Sequence, residues 1–295
     1  MRCRACVIWS AVILLSIVDV LLCHRLQLRF SNWGHLLLAG VVTGGLALFY
    51  RLSGRSAPLA RAAHWTLLWL VFVNAGAVLT YAAAAYGGAT HDAELSAIDL
   101  ALGFDWVRWS DFLAPHRDLR FLLWLSYLSL FPQILISIFW LSWRGLDDFN
   151  YELLLNSFVS LLITTAIFLL FPALGPLQGG GQPGLPVLLA LRGGGPLSFD
   201  MTQLQGLISF PSYHTVLAVL LTWAQRRSPL LVPFAVVNGI MLVSIPTFGP
   251  HYLIDIVAGV AVAALAILMT AIMAAANRAT RVAKPISPVA RPTPV

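Results

Sequence analysis

Apolar residues run along the chain in long stretches, broken by short polar or Gly/Pro-rich segments. A run of about 17–25 apolar residues is long enough to cross a bilayer as a helix. Such runs predict spans near 7–23, 34–50, 64–86, 119–142, 152–172, 212–225, 229–246 and 251–274. The sixth is short and needs residues from the preceding turn. Residues 87–118 break the pattern. SAIDLALGFDWVRWSDFL places apolar residues at helical spacing among acids and two tryptophans, which predicts one amphipathic helix lying at the interface. Residues 173–209, with GGGQPG and RGGGP, are too rich in Gly and Pro for a regular span and predict a loop. The tail after Asn277, with KPISPVARPTP, has the composition of a disordered segment. No internal repeat and no soluble domain is visible.

Composition agrees with the pattern. Of the 295 residues, 59% are hydrophobic and 10% charged. A soluble domain carries roughly 25% charged residues, so this chain cannot cover itself with a polar surface. The expected fold is an all-α integral membrane protein of about eight transmembrane helices. Residues 1–60 hold two N-terminal spans, 61–276 a six-helix membrane core, and 277–295 a cytoplasmic tail. A net charge of +6 raises the question of nucleic acid, but the cations are spread between spans, so no nucleic-acid partner is expected. With both termini cytoplasmic, twelve of the 18 Lys+Arg fall on the inner side, as the positive-inside rule demands. Abundant Arg and short connections fit a bacterial inner membrane. Cys3 and Cys6 form a C-x-x-C without a second ligand pair, so no metal is expected. The first run lacks a cleavage-site pattern and reads as an uncleaved span.

Two stretches carry chemistry: Ser209–Thr215, SFPSYHT, and Phe248–Gly259, FGPHYLIDIVAG. Each places a histidine at the head of an apolar helix, and the topology puts both at the outer, periplasmic face. His251 and Asp255, four residues apart, share one helical face. Asp255 can accept the N–H of one imidazole nitrogen, fix the tautomer, and leave the other nitrogen as a nucleophile toward phosphorus. His214 can protonate the leaving oxygen. Backbone N–H groups at both helix starts favour a bound phosphate. Ser212 occupies a helix-capping position and is also a candidate substrate-binding residue. Asp19, Asn74, Asn156 and Asn238 are expected to form hydrogen bonds between spans.

FPSYHT and GPHYLIDIVAG resemble the second and third signature motifs of the type 2 phosphatidic acid phosphatase superfamily. DLALGFDW at 99–106, FPALGP at 171–176 and LRGGG at 191–195 are similar to its inositol phosphorylceramide synthase-like branch. The resemblance covers roughly residues 64–275. It implies a six-helix core from the third to the eighth span, no metal or other cofactor, and a phosphohistidine on His251, oriented by Asp255, with His214 as acid and then base. The implied partners are a lipid phosphate or phospholipid and a polyol or sphingolipid-like acceptor. Two departures stand out. Ser244-Ile245 replaces the Ser-Arg that the third motif carries upstream, and FPALGPLQ has none of the cations of the first motif. Arg192, within its Gly-rich turn, is the expected replacement, with Arg108 the second choice. Tyr252 and Tyr213 flank the histidines, and Tyr252 is a candidate pocket residue.

The expected function is therefore a lipid phosphatase or phospho-head-group transferase. The alternative is a transporter or flippase of lipid-linked substrates, supported by intramembrane polar residues and the Gly/Pro-rich loop.

Overall fold

The structure is a computed structural model that describes residues 2–86, 88–176, 184–249 and 251–282. It is helical almost throughout. The helices are α1 (Arg2–Leu26), α2 (Gly34–Ser53), α3 (Ala57–Ala84), α4 (Asp92–Ala101), α5 (Trp106–Leu113) and α6 (Arg117–Leu128), followed by α7 (Leu130–Trp143), α8 (Asp147–Leu170), α9 (Leu185–Gly193), α10 (Tyr213–Ala224), α11 (Leu231–Phe248) and α12 (Leu253–Val282).

All eight apolar runs form helices, and the chain is an integral membrane protein. Among the described residues six helices are long and apolar enough to cross a membrane alone. The fourth run is split into α6 and α7, bent by 48° at Ser129, and counts as a seventh span if the pair is taken together. The sixth run, α10, has only 12 residues. It forms a half-length helix whose first turn sits inside the bundle.

Helix α3 is the hub, packing against α1, α2, α7 and α8, while α10 packs on α7, α8, α11 and α12. Lipid tails are as apolar as leucine, so these helices gain little from burial alone; close packing and polar pairs hold them. Asn156 Oδ1 accepts from Thr270 Oγ1 at 2.5 Å, Thr222 Oγ1 from Asn238 at 2.8 Å, and Ser137 Oγ from Gln225 at 3.0 Å. Bonds of this kind contribute about 0.6–2 kcal/mol each in a bilayer. Asn156 and Asn238 thus link spans as expected. Asn74 does not: it donates to Leu70 O within its own helix. Asp19 finds no partner at all among the described residues.

Three other expectations change. The amphipathic stretch is two helices, α4 and α5, because Gly103 takes a positive φ of 82° and Asp105 caps a new start. The 173–209 segment contains α9 and a strand, β2 (Leu197–Asp200), which pairs in parallel with β1 (Leu28–Ser31) after the first span. The ladder bonds the loop before the first histidine motif to the N-terminal spans. Finally, α12 continues to Val282 through helix-forming Ala and Arg, past the expected end at Asn277; residues 283–295 lie outside the described residues.

Candidate active site

The heads of α10 and α12 meet at one end of the bundle. What lets them meet is Gly259, one turn below Asp255. A Cβ there would lie 2.6 Å from Ser212 O and 2.7 Å from Thr215 Cβ, so only glycine permits this crossing. Ser212 N–H donates to the Asp255 carbonyl at 3.0 Å and stitches the two heads together. Gly249 plays a similar part for the ring of His251, whose Cδ2 would lie 2.5 Å from an added Cβ.

His251 is 4% exposed and Asp255 fully buried. Around Nδ1 of His251 stand two acceptors, the Ser209 carbonyl at 3.0 Å and Asp255 Oδ2 at 3.3 Å. A nitrogen flanked only by acceptors carries the hydrogen, so Nε2 is left with its lone pair. Orientation by Asp255 was legible in the spacing; the larger share taken by a backbone carbonyl was not. Asp255 Oδ2 also accepts from Ser209 Oγ at 2.6 Å and from Tyr252 N–H at 2.9 Å. Three donors on one oxygen hold the buried carboxylate in place.

Ser212 does two things. Its hydroxyl caps α10 through Thr215 N–H at 3.4 Å and lies 3.5 Å from His251 Nε2. His214 stands opposite, its ring stacked on Tyr127 at 4.8 Å and 6.5 Å from the ring of His251, centroid to centroid. The two imidazoles are too far apart to bond directly and close enough for one tetrahedral group to bridge them.

Two acids on α4 complete the arrangement, and sequence reasoning took them for interfacial charges. Asp99 is 3% exposed and accepts from Leu253 N–H at 2.7 Å and Ile254 N–H at 2.9 Å, capping α12 from another helix. Burial pushes its carboxyl upward and the two N–H groups pull it back. Asp92, two turns earlier on the same face, accepts from Leu174 N–H at 3.0 Å and Gly175 N–H at 2.9 Å and fixes the FPALGP turn. Between them Leu95 packs against Ala173 and Tyr252. The i, i+3, i+7 spacing of Asp92, Leu95 and Asp99 was the available signal. Trp106 and Trp109 brace the end of α11, donating to Pro246 O at 2.7 Å and Thr247 Oγ1 at 2.9 Å.

These bonds overturn one expectation. The N–H groups of Tyr252, Leu253 and Ile254 are all taken by Asp255 and Asp99, so the head of α12 has little left to offer an anion. Tyr252 donates its hydroxyl to Asp92 Oδ1 at 3.4 Å, and burial beside Asp92 and Asp255 pushes its phenol up. Tyr213 bonds Ser157 O of α8 at 2.7 Å. Both tyrosines therefore tie helices together. Arg108 is exposed, within 3.5 Å of Asp105.

Arg192 lies in the last turn of α9 rather than in a glycine turn. Its Nε and Nη2 are buried without a hydrogen-bond partner, and burial lowers its pKa. No bond joins it to either histidine among the described residues. A second cation, Arg120, lines a cavity of about 200 Å³ with Trp106, Trp109 and Thr247, beside the segment that leads into His251. Among the described residues no group of three or more His, Cys, Asp or Glu side chains is gathered as a metal site would require.

A buried His–Asp pair at one helix head thus faces a second histidine at another, inside a helical membrane bundle. The particular family follows from comparison. The model of the PAP2 superfamily matches residues 93–269, from α4 into α12, and the chain belongs to that superfamily. Its members are membrane phosphatases and phosphotransferases. No curated protein and no solved structure matches the chain.

Proposed function

We propose that the protein hydrolyses or transfers the phosphoryl-bearing head of a lipid phosphate or phospholipid at the outer, periplasmic face of a bacterial inner membrane, with both termini cytoplasmic. The observation that carries the reading is the held tautomer of His251, with both acceptors on Nδ1 and Nε2 turned toward Ser212 and the His214 side.

In the proposed step, Nε2 attacks phosphorus while His214 gives a proton to the departing oxygen, and Asp255 balances the imidazolium that forms. Water, or the hydroxyl of a polyol or sphingolipid-like acceptor, then gives its proton to His214 and attacks phosphorus, releasing His251. The likeness to the inositol phosphorylceramide synthase-like branch favours transfer. With the α12 donors occupied, the phosphate oxygens rest on the first turn of α10 and on an arginine. Arg192, whose Nε and Nη2 are buried without a partner among the described residues, is that clamp. Ser212 steadies the nucleophile; Tyr252 shapes the pocket wall. The excess of cations on the inner side supports the orientation.

The test is turnover of purified protein in detergent without added metal, beside a His251→Ala control. Phosphatidic, prenyl and sphingolipid phosphates and phospholipid donors would be offered with and without polyol. Free phosphate marks a phosphatase, and a new lipid formed only with acceptor marks a transferase; turnover unchanged in the control rejects the mechanism. Because His251 must be neutral and His214 protonated, turnover should be bell-shaped in pH.

A further inference from the structure

The matched family segment begins at residue 93, so α1, α2 and α3 lie outside it. Helices α1 and α2 both pack on α3. Helix α2 buries no residue of its own and reaches α3 through Gly40 and Gly44, which face Leu67 and Leu70. The result is a cleft between α1 and α2 with α3 as its floor. It has a volume of about 660 Å³, in the range of small-molecule sites, and its walls include Val41, Val71, Ala75 and Val78. Leu28 and Phe30 of β1 roof it, and Trp33 stands at its mouth.

One wall residue does not belong in an apolar cleft. Asp19 is 5% exposed, and neither carboxyl oxygen has a hydrogen-bond partner. An acid at this depth is costly unless something donates to it. None of the polar groups lining the cleft bonds to it: Asn74 donates to Leu70 O and Ser16 to Val12 O, each within its own helix, and Cys23 makes no bond to it. At 1.5 Å per residue, Asp19 lies roughly 10 Å below the end of α1 at Leu26. With Leu26 at headgroup level, that is the top of the hydrocarbon.

We propose that this cleft binds a lipid alcohol, a neutral lipid whose free hydroxyl donates to Asp19 while its chains lie along Val71, Ala75 and Val78. Depth and the unmet acceptors of Asp19 select this ligand. A phosphate or carboxylate head brings acceptors and no donor for Asp19, whereas a hydroxyl on an otherwise headless lipid brings the donor it lacks. The open side between α1 and α2 admits it from the bilayer without passage through water. Phe30, in the roof, contacts Phe199 of β2, so an occupant touches the strand that pairs with the one leading to Ser209. The inference concerns binding and does not rest on the proposed reaction.

The test uses the full-length protein in lipid nanodiscs with a diazirine-bearing diacylglycerol as probe. Crosslinks should map to peptides of α1 and α3 that face the cleft. Excess dioleoylglycerol should abolish them, and dioleoyl phosphatidic acid should compete at least tenfold more weakly. Asp19→Leu removes the acceptor and keeps an apolar wall. It should cut labelling at least tenfold with no fall in Tm. Val71→Phe, which fills the cleft and leaves Asp19 in place, should do the same. Equal competition by the phosphatidic acid, undiminished labelling of Asp19→Leu, or labels scattered over the outer face of α2 would each overturn the proposal.

Discussion

Two ends of the same bundle handle buried acids in opposite ways. At the heads of α10 and α12, Asp99, Asp255 and the half-buried Asp92 accept eight hydrogen bonds that tie α4, α12 and the FPALGP turn together. In the N-terminal spans Asp19 accepts none. An acid with internal donors is a structural part whose removal loosens what it holds. An acid without them is a liability that folding alone does not justify. The first region is built to be rigid, the second to receive something.

Removing the centre of the rigid region should produce the largest effect. His251→Ala should reduce turnover by on the order of 10⁴ or more, because no other side chain can take over attack at phosphorus. Tm should fall by a few degrees at most, from loss of a buried ring bonded to Ser209 O and Asp255. Asp255→Asn should cost on the order of 10³ in turnover by losing the charge that steadies the imidazolium. Retained activity in either variant would break the proposed roles.

A pure packing change sharpens the comparison. Gly259→Ala places a methyl against Ser212 O and Thr215 Cβ and must push α10 from α12. Overpacking of this kind costs about 1–3 kcal/mol, which lowers Tm by a few degrees. Turnover should fall further than stability, because Ser212 and His214 retreat from His251. An unchanged kcat would mean that the helix heads have slack that the structure does not show.

The α4 brace comes next. Asp99→Ala leaves two buried N–H groups at the head of α12 without acceptors, at about 1–3 kcal/mol for such a loss. His251 stands two residues before the capped turn, so kcat should drop about tenfold. Burial holds the Asp99 carboxyl above its ordinary range. The folded protein therefore binds the proton more tightly than the unfolded chain. Its contribution to stability is present in full at low pH and fades as pH rises through the folded pKa. Asp99→Asn should remove that slope in Tm against pH, while retaining an oxygen for one of the two N–H groups.

What was legible in the sequence follows the same division. The spans were visible because a bilayer imposes length and apolarity on contiguous residues. His251 and Asp255 were visible because they stand four residues apart, although His251 lies just before α12 and not on its face as the spacing suggested. The break at Ser129 was missed because an apolar run does not report its own bend. The Asp99 cap was missed because it joins residues 154 positions apart, and nothing local marks an acid on α4 as the partner of an α12 amide. The β1–β2 pairing, across 169 residues at Leu28 and Leu197, was hidden for the same reason. Arg192 was placed in a turn because Gly193–Gly195 overshadowed the PVLLALR helix before them.

The smallest expected effect on catalysis is at Asp19, and it separates the two regions most cleanly. Asp19→Leu takes away an acid that bonds to nothing, so the fold should lose nothing and gain from a better-packed apolar wall. The same exchange at Asp255 would strand Ser209, Tyr252 and His251. Measured side by side in detergent, Tm should rise or hold for Asp19→Leu and fall for Asp255→Leu. Turnover of a water-soluble phosphate ester should stay within about twofold of wild type in the Asp19 variant, because no bond connects that carboxyl to the histidines. A fall in Tm comparable to that of Asp255→Leu would show that Asp19 holds the N-terminal spans to the core, and the contrast between the two ends would fail.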